Sequence, residues 1–359
     1  MNIVQVFPGK IWGGAEQYIL DLGKALTARG HNVSYLSRNV EAVTGPLHRH
    51  GIDVRPLPFS HALDFKTIRE LSHIMADADV IHLHDTSFVI PAVIARTRIK
   101  GRKPRILLTR HDAHGTIVAP WAIPFFMQLD AIIFVSDFAR RGWLRTNRWV
   151  PAAKCHIILN SIPPSTSFPV ENLRDKYSIA PETPLIVYSG RIKKSKGCTA
   201  IIEALSQLAE LPFAMVFIGS FKNDAYGNEL KNLIERYGLS ERVHFYGFTD
   251  HARLLAAQAD IGLAPPIAKD ACPLSAIEFL MNGVCEITST NGGQTEFVTD
   301  GETGLIVPPG DVEALASAIR RLIENPCLRK KLAESGKTYF NQEMAYDRFV
   351  DKILSVYNS

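Results

Sequence analysis

Two α/β domains in tandem, each built on a parallel sheet, are what this 359-residue chain predicts, on three observations. Short β-branched runs alternate with helix-like stretches. The runs are apolar almost throughout, not on every second residue. One stretch rich in Pro, Ser and Thr, 161–184, interrupts the alternation before it restarts. Near-continuous apolar strands belong to sheets covered on both faces, and strands spaced by helices belong to parallel ones. The length suits two cores of common size.

In chain order the first domain has strands at 2–7 (NIVQVF), 32–36 (NVSYL), 79–84 (DVIHLH), 105–109 (RILLT), 131–136 (AIIFVS) and 156–160 (HIILN). The second has them at 185–190 (LIVYSG), 214–219 (AMVFIG), 242–247 (RVHFYG), 260–264 (DIGLA), 284–288 (VCEIT) and 304–307 (GLIV). The expected organisation is a Rossmann-like domain over 1–165, a linker over 166–184 with one short helix, a second Rossmann-like domain over 185–336, and a closing helix over 337–359. Phe340, Met344, Phe349, Ile353 and Val356 give that last stretch an amphipathic helical spacing, and it could pack back on the first domain. Open parallel sheets bind ligands beyond the carboxyl ends of their strands, so two in tandem predict a cleft, with function on the loops after the strands.

Composition narrows the classes. At 46% hydrophobic and 21% charged the chain has ordinary soluble-protein content. The opening MNIVQVFPGKIWGGAE runs from a strand into a Gly-rich loop without the features of a secretion signal, which reads as cytoplasmic. Cys155, Cys198, Cys272, Cys285 and Cys327 lack CxxC spacing, so reduced, packed thiols are expected instead of disulfides or a zinc site. A net charge of +4 without an aromatic-basic recognition motif argues against nucleic acid. Residues 1–165 hold 20 basic and 12 acidic groups and residues 166–359 hold 20 and 24, so the first half should favour an anionic partner.

YSGRIKKSKGCTAII (188–202) puts Arg191 after a strand and Lys196 just before a helix opening near Gly197. Two cations on one strand-to-helix turn can converge on a diphosphate, the guanidinium as a planar fork and the ammonium as a point charge. Gly190 and Gly197 permit close backbone approach. In KDACPLSAIEFLMNG (269–283), Pro273 suits a first helical turn, so a helix should start near residues 273–274, with the free N–H groups of its first turn, Leu274 and Ser275 among them, available to an anion. Asp270 then lies ahead of that terminus and Glu278 inside the helix, two acids flanking an anion site. A nucleotide sugar has the matching polarity: sugar hydroxyls, a diphosphate, then ribose hydroxyls.

GRIKKSKG fits the pattern G-R-x4-K-G, and DACPLSAIEFLMNG followed by NGGQTEFVTDGETGLIVPPGD resembles the E-x7-E region of the family-4 retaining glycosyltransferases of GT-B fold. GGAEQY (13–18), DVIHLH, TRHD (109–112), FVSDFAR (134–140) and LNSI (159–162) resemble further landmarks of that family in the same order, over nearly the whole chain. The resemblance implies two Rossmann-like domains facing across a cleft, the first on the acceptor side. It implies transfer of a hexose-type sugar, with retention, from a nucleoside diphosphate sugar to an acceptor hydroxyl. The donor would be a UDP-sugar, with a GDP-sugar as the alternative. The acceptor would be a saccharide or lipid-linked saccharide of a cell-surface polysaccharide or glycolipid. It implies that Arg191 and Lys196 bind the diphosphate, Glu278 the ribose and Asp270 the transferred sugar. His111 would line the reaction centre as a positioning group, and Gly13, Gly14, Gly292 and Gly293 would approach the donor, the last two just ahead of a helix. His84 and Asp112 would lie on the acceptor side. The family usually has Glu where this chain has Asp270. No metal or other cofactor is expected, since the cations and the helix terminus can carry the leaving group's charge.

Three rival readings remain. His82, His84, Asp85, His111, Asp112 and His114 could be ligands of a metal-dependent hydrolase. A nucleotide-sugar 2-epimerase would share the architecture, and a non-catalytic sugar-nucleotide sensor the binding site. Finally, the uncharged IVAPWAIPFFM (117–127) precedes FARRGWLRTNRWV (138–150), in which four Arg interleave with Trp143 and Trp149. That composition suits either docking on an anionic membrane surface, at its cytoplasmic face, or a buried turn beside a solvated basic loop.

Overall fold

The computed structural model describes residues 1–8, 12–38, 40–59, 63–164, 168–221 and 224–359. The chain divides into two compact units, Met1–Asn160 with Tyr346–Ser359, and Ser161–Ala345. The boundary expected at 165/166 lies outside the described residues.

The first unit is a seven-stranded sheet of β1 (Asn2–Phe7), β2 (Asn32–Ser37), β3 (Val54–Pro56), β4 (Val80–Leu83), β5 (Arg105–Arg110), β6 (Ala131–Phe134) and β7 (Cys155–Ile157). Its order is β3-β2-β1-β4-β5-β6-β7, with every pairing parallel. Strand order therefore reverses direction between β1 and β4. β3, whose sequence VRP has one buried residue, was not foreseen, since it lacks an apolar run. One face packs Val4, Val6, Ile81, Leu83, Ile106 and Leu108 against the helices Phe65–Met75 and Val89–Thr97. The other packs Ile3, Phe7, Val80 and Leu107 against the helices Gly14–Ala28 and Tyr346–Asn358.

The second unit has six strands, β8 (Leu185–Ser189), β9 (Ala214–Ile218), β10 (Val243–Gly247), β11 (Ile261–Ala264), β12 (Cys285–Ser289) and β13 (Leu305–Val307). They lie in the order β10-β9-β8-β11-β12-β13, again all parallel, and the reversal falls between β8 and β11. Helices Cys198–Ser206, Ala225–Arg236 and Val312–Glu324 cover one face, and Leu274–Asn282 and Pro326–Glu343 cover the other. On β11, Gly262 is required by packing: a Cβ there would lie 2.5 Å from the Phe279 ring.

Three local expectations are corrected. The stretch 337–359 is two helices, because the Ser161 hydroxyl donates to the Met344 carbonyl (2.5 Å) and closes the helix Pro326–Glu343 before Tyr346 starts the next. After Gly292 the chain forms only a single 3-10 turn, Gly293–Glu296. The cysteines are free thiols, but Cys327 is exposed instead of packed.

Candidate active site

In the second unit the site is built by three loops that leave neighbouring strands at the reversal point. The loop after β8 is tied to the loop after β11 by Ile267 and Ala268, whose N–H groups both donate to the Ser195 carbonyl at 3.0 Å. The loop after β11 is tied to that after β12 by Asn291, whose side-chain amide donates to the Ile267 carbonyl (2.7 Å), and by the Gly293 N–H, which donates to the Asp270 carbonyl (3.0 Å). Two glycines make this lacing possible. Gly197 has φ +86°, and a Cβ on it would stand 2.3 Å from the Pro265 carbonyl oxygen. At Gly292 a Cβ would stand 2.5 Å from the Asp270 carbonyl oxygen.

Arg191 is exposed, and its guanidinium has no ion-pair partner among the described residues. Lys196, half-buried at the end of a 3-10 turn, is held by the carboxylate of Asp270. The helix Leu274–Asn282 follows directly. Pro273 sits one position earlier than expected, as the residue preceding the helix with φ −67° and ψ 119°, and no side chain caps the terminus. Elsewhere Asp64, Ser136, Asp224 and Asp311 accept from the first N–H groups of their helices. At Leu274 and Ser275 those donors stay available to an external anion. Glu278, one turn in, is buried and accepts from Arg253 Nε at 2.9 Å. Arg253 was not foreseen, since an arginine on the five-residue helix Ala252–Ala256 has no signal of its own.

In the first unit a group of polar residues gathers where β1, β4 and β5 end, and its members are neutral. Gln5 and His82 are register partners on β1 and β4, and both are buried. His82 shares hydrogen bonds with Thr109 Oγ1 and with the Tyr357 hydroxyl from the last helix, each 2.6 Å. His84 reaches Gln5 Oε1 through Nε2 (2.6 Å) and His111 Nε2 through Nδ1 (2.9 Å). The ring of Tyr18 stands edge-on to His111 at 4.8 Å. Burial holds all three histidines in the uncharged form. It lowers His82 and His111 to about 3, aided at His111 by the Arg110 guanidinium, and lowers His84 well below its ordinary value.

This placement changes two expectations. His84 is buried with both ring nitrogens engaged, so it supports His111 and does not contact an acceptor. Asp112 is half-exposed and held by Arg110 Nη2 at 2.7 Å, while Arg110 itself lies over the Trp143 ring. Among the described residues no three His, Cys, Asp or Glu side chains gather as metal ligands. Gly13 and Gly14 open the helix Gly14–Ala28, which, like Leu274–Asn282, has no side-chain cap. Gln5, Tyr18 and Tyr357 were also missed. Gln5 alone carried a signal, as the one polar residue within the apolar run IVQVF.

Two family descriptions cover this chain, Glycosyltransferase Family 4 over residues 12–166 and Glycosyl transferases group 1 over residues 169–339. The chain belongs to the family-4, group 1 glycosyltransferases. It is a nucleotide-sugar-dependent glycosyltransferase, and its two parallel-sheet units have the GT-B architecture. A phosphatidyl-myo-inositol mannosyltransferase of Mycobacterium leprae is 26% identical over 90% of this chain and 87% of its own length. A glycosyltransferase structure from Rickettsia africae matches at TM-score 0.87 and 21% identity, over 99% of this chain and 97% of that one. HepE of Anabaena, solved in complex with UDP-glucose, matches at TM-score 0.82 and 20% identity over 99% and 98%. At those identities the two structures speak for the fold alone.

Proposed function

We propose that this glycosyltransferase moves a hexose-type sugar, with retention, from a UDP-sugar to a hydroxyl of a saccharide or lipid-linked saccharide, in the assembly of a cell-surface polysaccharide or glycolipid. A GDP-sugar is the alternative donor. The observation that carries the reading is the second unit's anion site: exposed, unpaired Arg191, nearby Lys196, and an uncapped helix terminus at Leu274 and Ser275. A departing diphosphate gains negative charge in the transition state, and fixed donors and cations stabilise that charge without reorganising. In this reading Glu278 takes the ribose hydroxyls, held in place by Arg253. Asp270 takes hydroxyls of the transferred sugar, Gly292 and Gly293 let the backbone come close to it, and Gly13 and Gly14 do the same in the first unit. His111, uncharged, positions a hydroxyl, with Asp112 beside it. The name of the mycobacterial relative, a phosphatidyl-myo-inositol mannosyltransferase, supports a lipid-borne acceptor.

The deciding experiment is a thermal-stability screen of the protein with UDP-, GDP- and ADP-sugars, because a bound donor stabilises the fold by mass action. A shift with UDP-sugars, followed by transfer that EDTA leaves intact, is the expected result. No shift with any nucleotide sugar, or activity lost to EDTA and restored by zinc, would overturn it.

A second part of the proposal is docking on an anionic lipid surface at the cytoplasmic face of the membrane. Val118, Ala122 and Phe126 are buried in the first unit's core, whereas Ile117, Trp121 and Met127 from the same uncharged stretch are exposed. Arg145 and Arg148 are exposed as well. Trp143 leaves the docking set, because it is buried beneath Arg110, and Arg140 and Arg141 are both paired with Asp137. No helix among the described residues is long and apolar enough to cross a membrane. Co-sedimentation with anionic but not neutral vesicles, weakened by salt and by Ile117→Ser with Trp121→Ser, is expected. Absence of binding at low salt would leave a soluble acceptor.

A further inference from the structure

Within the hydrogen-bonded group of the first unit His111 is the partly exposed member, and the side chains that decide what it can offer are buried beneath it. We propose that Gln5 and His84 are positioning residues for transfer, holding His111 in the single tautomer that carries its proton on Nε2 and leaves Nδ1 as a hydrogen-bond acceptor. This rests on the reading that places His111 at the reaction centre.

The argument runs along two hydrogen bonds. A neutral imidazole has one donor and one acceptor nitrogen. Gln5 Oε1 can only accept, so His84 Nε2, 2.6 Å away, carries the proton and His84 Nδ1 is bare. His84 Nδ1 lies 2.9 Å from His111 Nε2, so that nitrogen must donate. His111 then has one remaining polar atom, Nδ1, with a lone pair and no proton. The alternative tautomer would set two lone pairs against each other across 2.9 Å in a buried place.

The surroundings keep this state from changing. Among the described residues the charged and titratable groups around His111 are Arg110 with its partner Asp112, and His84, His82 and Tyr18. The nearest cation, Arg110, opposes a positive charge on the ring, and burial opposes it further. Tyr18, edge-on at 4.8 Å, fixes the plane of the ring. Gln5 is fully buried, with its Oε1 engaged by His84. A ring so fixed recognises a group that donates, such as a sugar hydroxyl, and does not serve as an acid.

The test is long-range 1H–15N correlation on the full chain labelled with 15N-histidine, with His111 assigned from the spectrum of His111→Gln. The expected wild-type pattern is protonated Nε2 and bare Nδ1, unchanged from pH 8 to pH 5. In His84→Phe, which keeps ring packing, and in Gln5→Leu, the His111 tautomers should mix and the ring should begin to titrate. In both variants kcat should fall about tenfold or more as positioning is lost, with donor KM nearly unchanged, and it should gain a dependence on pH below 7 that the wild type lacks. Protonated Nδ1 in the wild type would mean that Gln5 donates through its amide nitrogen, and overturns the assignment. So would an unaltered His111 pattern in both variants. The wild-type spectrum needs no variant to fold. Turnover of His111→Gln is a separate reading: if it equals wild type, His111 has no part in transfer and the positioning role falls, whatever its tautomer.

Discussion

In the first unit one group of residues at the sheet's carboxyl edge is uncharged and joined by hydrogen bonds, Thr109 to His82 to Tyr357 and Gln5 to His84 to His111, with the Arg110–Asp112 ion pair beside it. In the second they are charged and paired, Lys196 with Asp270 and Glu278 with Arg253. Both clusters sit where strand order reverses, so topology alone does not explain the contrast. The difference follows the chemistry each place is given. Binding a diphosphate needs full charges, and in these loops Lys196 is compensated by Asp270 whereas Arg191 is exposed to solvent. Orienting a neutral hydroxyl needs direction and no charge, which a buried chain of imidazoles supplies.

The contrast extends to pH, where the largest effects are expected. His82 is held at about 3 in the folded first unit against 6.5 when unfolded, so its contribution is fully present above pH 6.5 and is lost as pH falls toward 3. For such a residue the loss is about 1.4 kcal/mol per pH unit. His111 and His84 act in the same direction. The second unit has the opposite device. Glu286 on β12 is fully buried, neither oxygen has a hydrogen-bond partner among the described residues, and burial raises its pKa well above the ordinary value. Its penalty therefore begins above pH 4.5 and grows as pH rises. All four tryptophans, Trp12, Trp121, Trp143 and Trp149, lie in the first unit, so their fluorescence reports that unit by itself. Denaturant unfolding followed by tryptophan should weaken steeply between pH 6.5 and pH 4.5, and His82→Gln should reduce the slope. A slope unchanged in that variant would show that His82 is not held neutral.

For the second unit, Glu286→Gln should leave stability at pH 4.5 unchanged and raise it progressively above that, by at most about 1.4 kcal/mol per pH unit. Peptide-resolved hydrogen exchange over β12 and the helix Leu274–Asn282 reads the effect. A gain that is the same at every pH would mean the carboxyl is not being protonated to stay buried.

Next in size is the anion site itself. Arg191→Ala and Lys196→Ala should each cost about 1.5–3 kcal/mol in kcat/KM for the donor, the worth of one charged contact. His111→Gln should leave donor diphosphate affinity unchanged, because a neutral ring holds none of the charge. Equal losses of UDP affinity in all three variants would erase the distinction between the units.

How much of this was legible in the sequence follows from what each element depends on. Strands such as AIIFVS and AMVFIG are buried on both faces, so composition alone marks them, while VRP at the sheet edge is short, polar and invisible. Arg191, Lys196 and the helix start at Leu274 were legible because they lie on consecutive strand-to-helix turns whose Gly and Pro residues announce themselves. The pairings were not. Lys196 and Asp270 are 74 residues apart, and Arg253 and Glu278 are 25 apart on two different helices. His84 could be seen as a polar residue at a strand end, but whether it faces a ligand or supports another histidine depends on Gln5 and His111, brought beside it only by sheet register.

The smallest effect is the one that bears most directly on how a charged site is kept ready. Asp270 is paired with Lys196, the carboxylate side chain 14% and the ammonium side chain 29% exposed. In the proposed reading a diphosphate arriving at Lys196 competes with Asp270, and the released carboxylate would meet hydroxyls of the attached sugar. A half-buried ion pair of this kind is worth on the order of 1 kcal/mol. Asp270→Asn removes that competitor without removing volume, so UDP should bind severalfold more tightly to the variant, and the gain should shrink as salt screens the pair. Transfer should fall in the same variant, because the carboxylate that would meet the sugar is gone. The two readouts thus move in opposite directions, which a merely structural aspartate would not produce. Asp270→Glu keeps the charge but adds a methylene, and should change the ranking of donor sugars while leaving UDP affinity near that of the wild type. Calorimetry with UDP and transfer assays over a donor panel decide the matter. Weaker UDP binding in Asp270→Asn would show that the carboxylate positions Lys196 for the phosphate instead of competing with it, and the second unit's charges would then be preorganised in the same sense as the first unit's histidines.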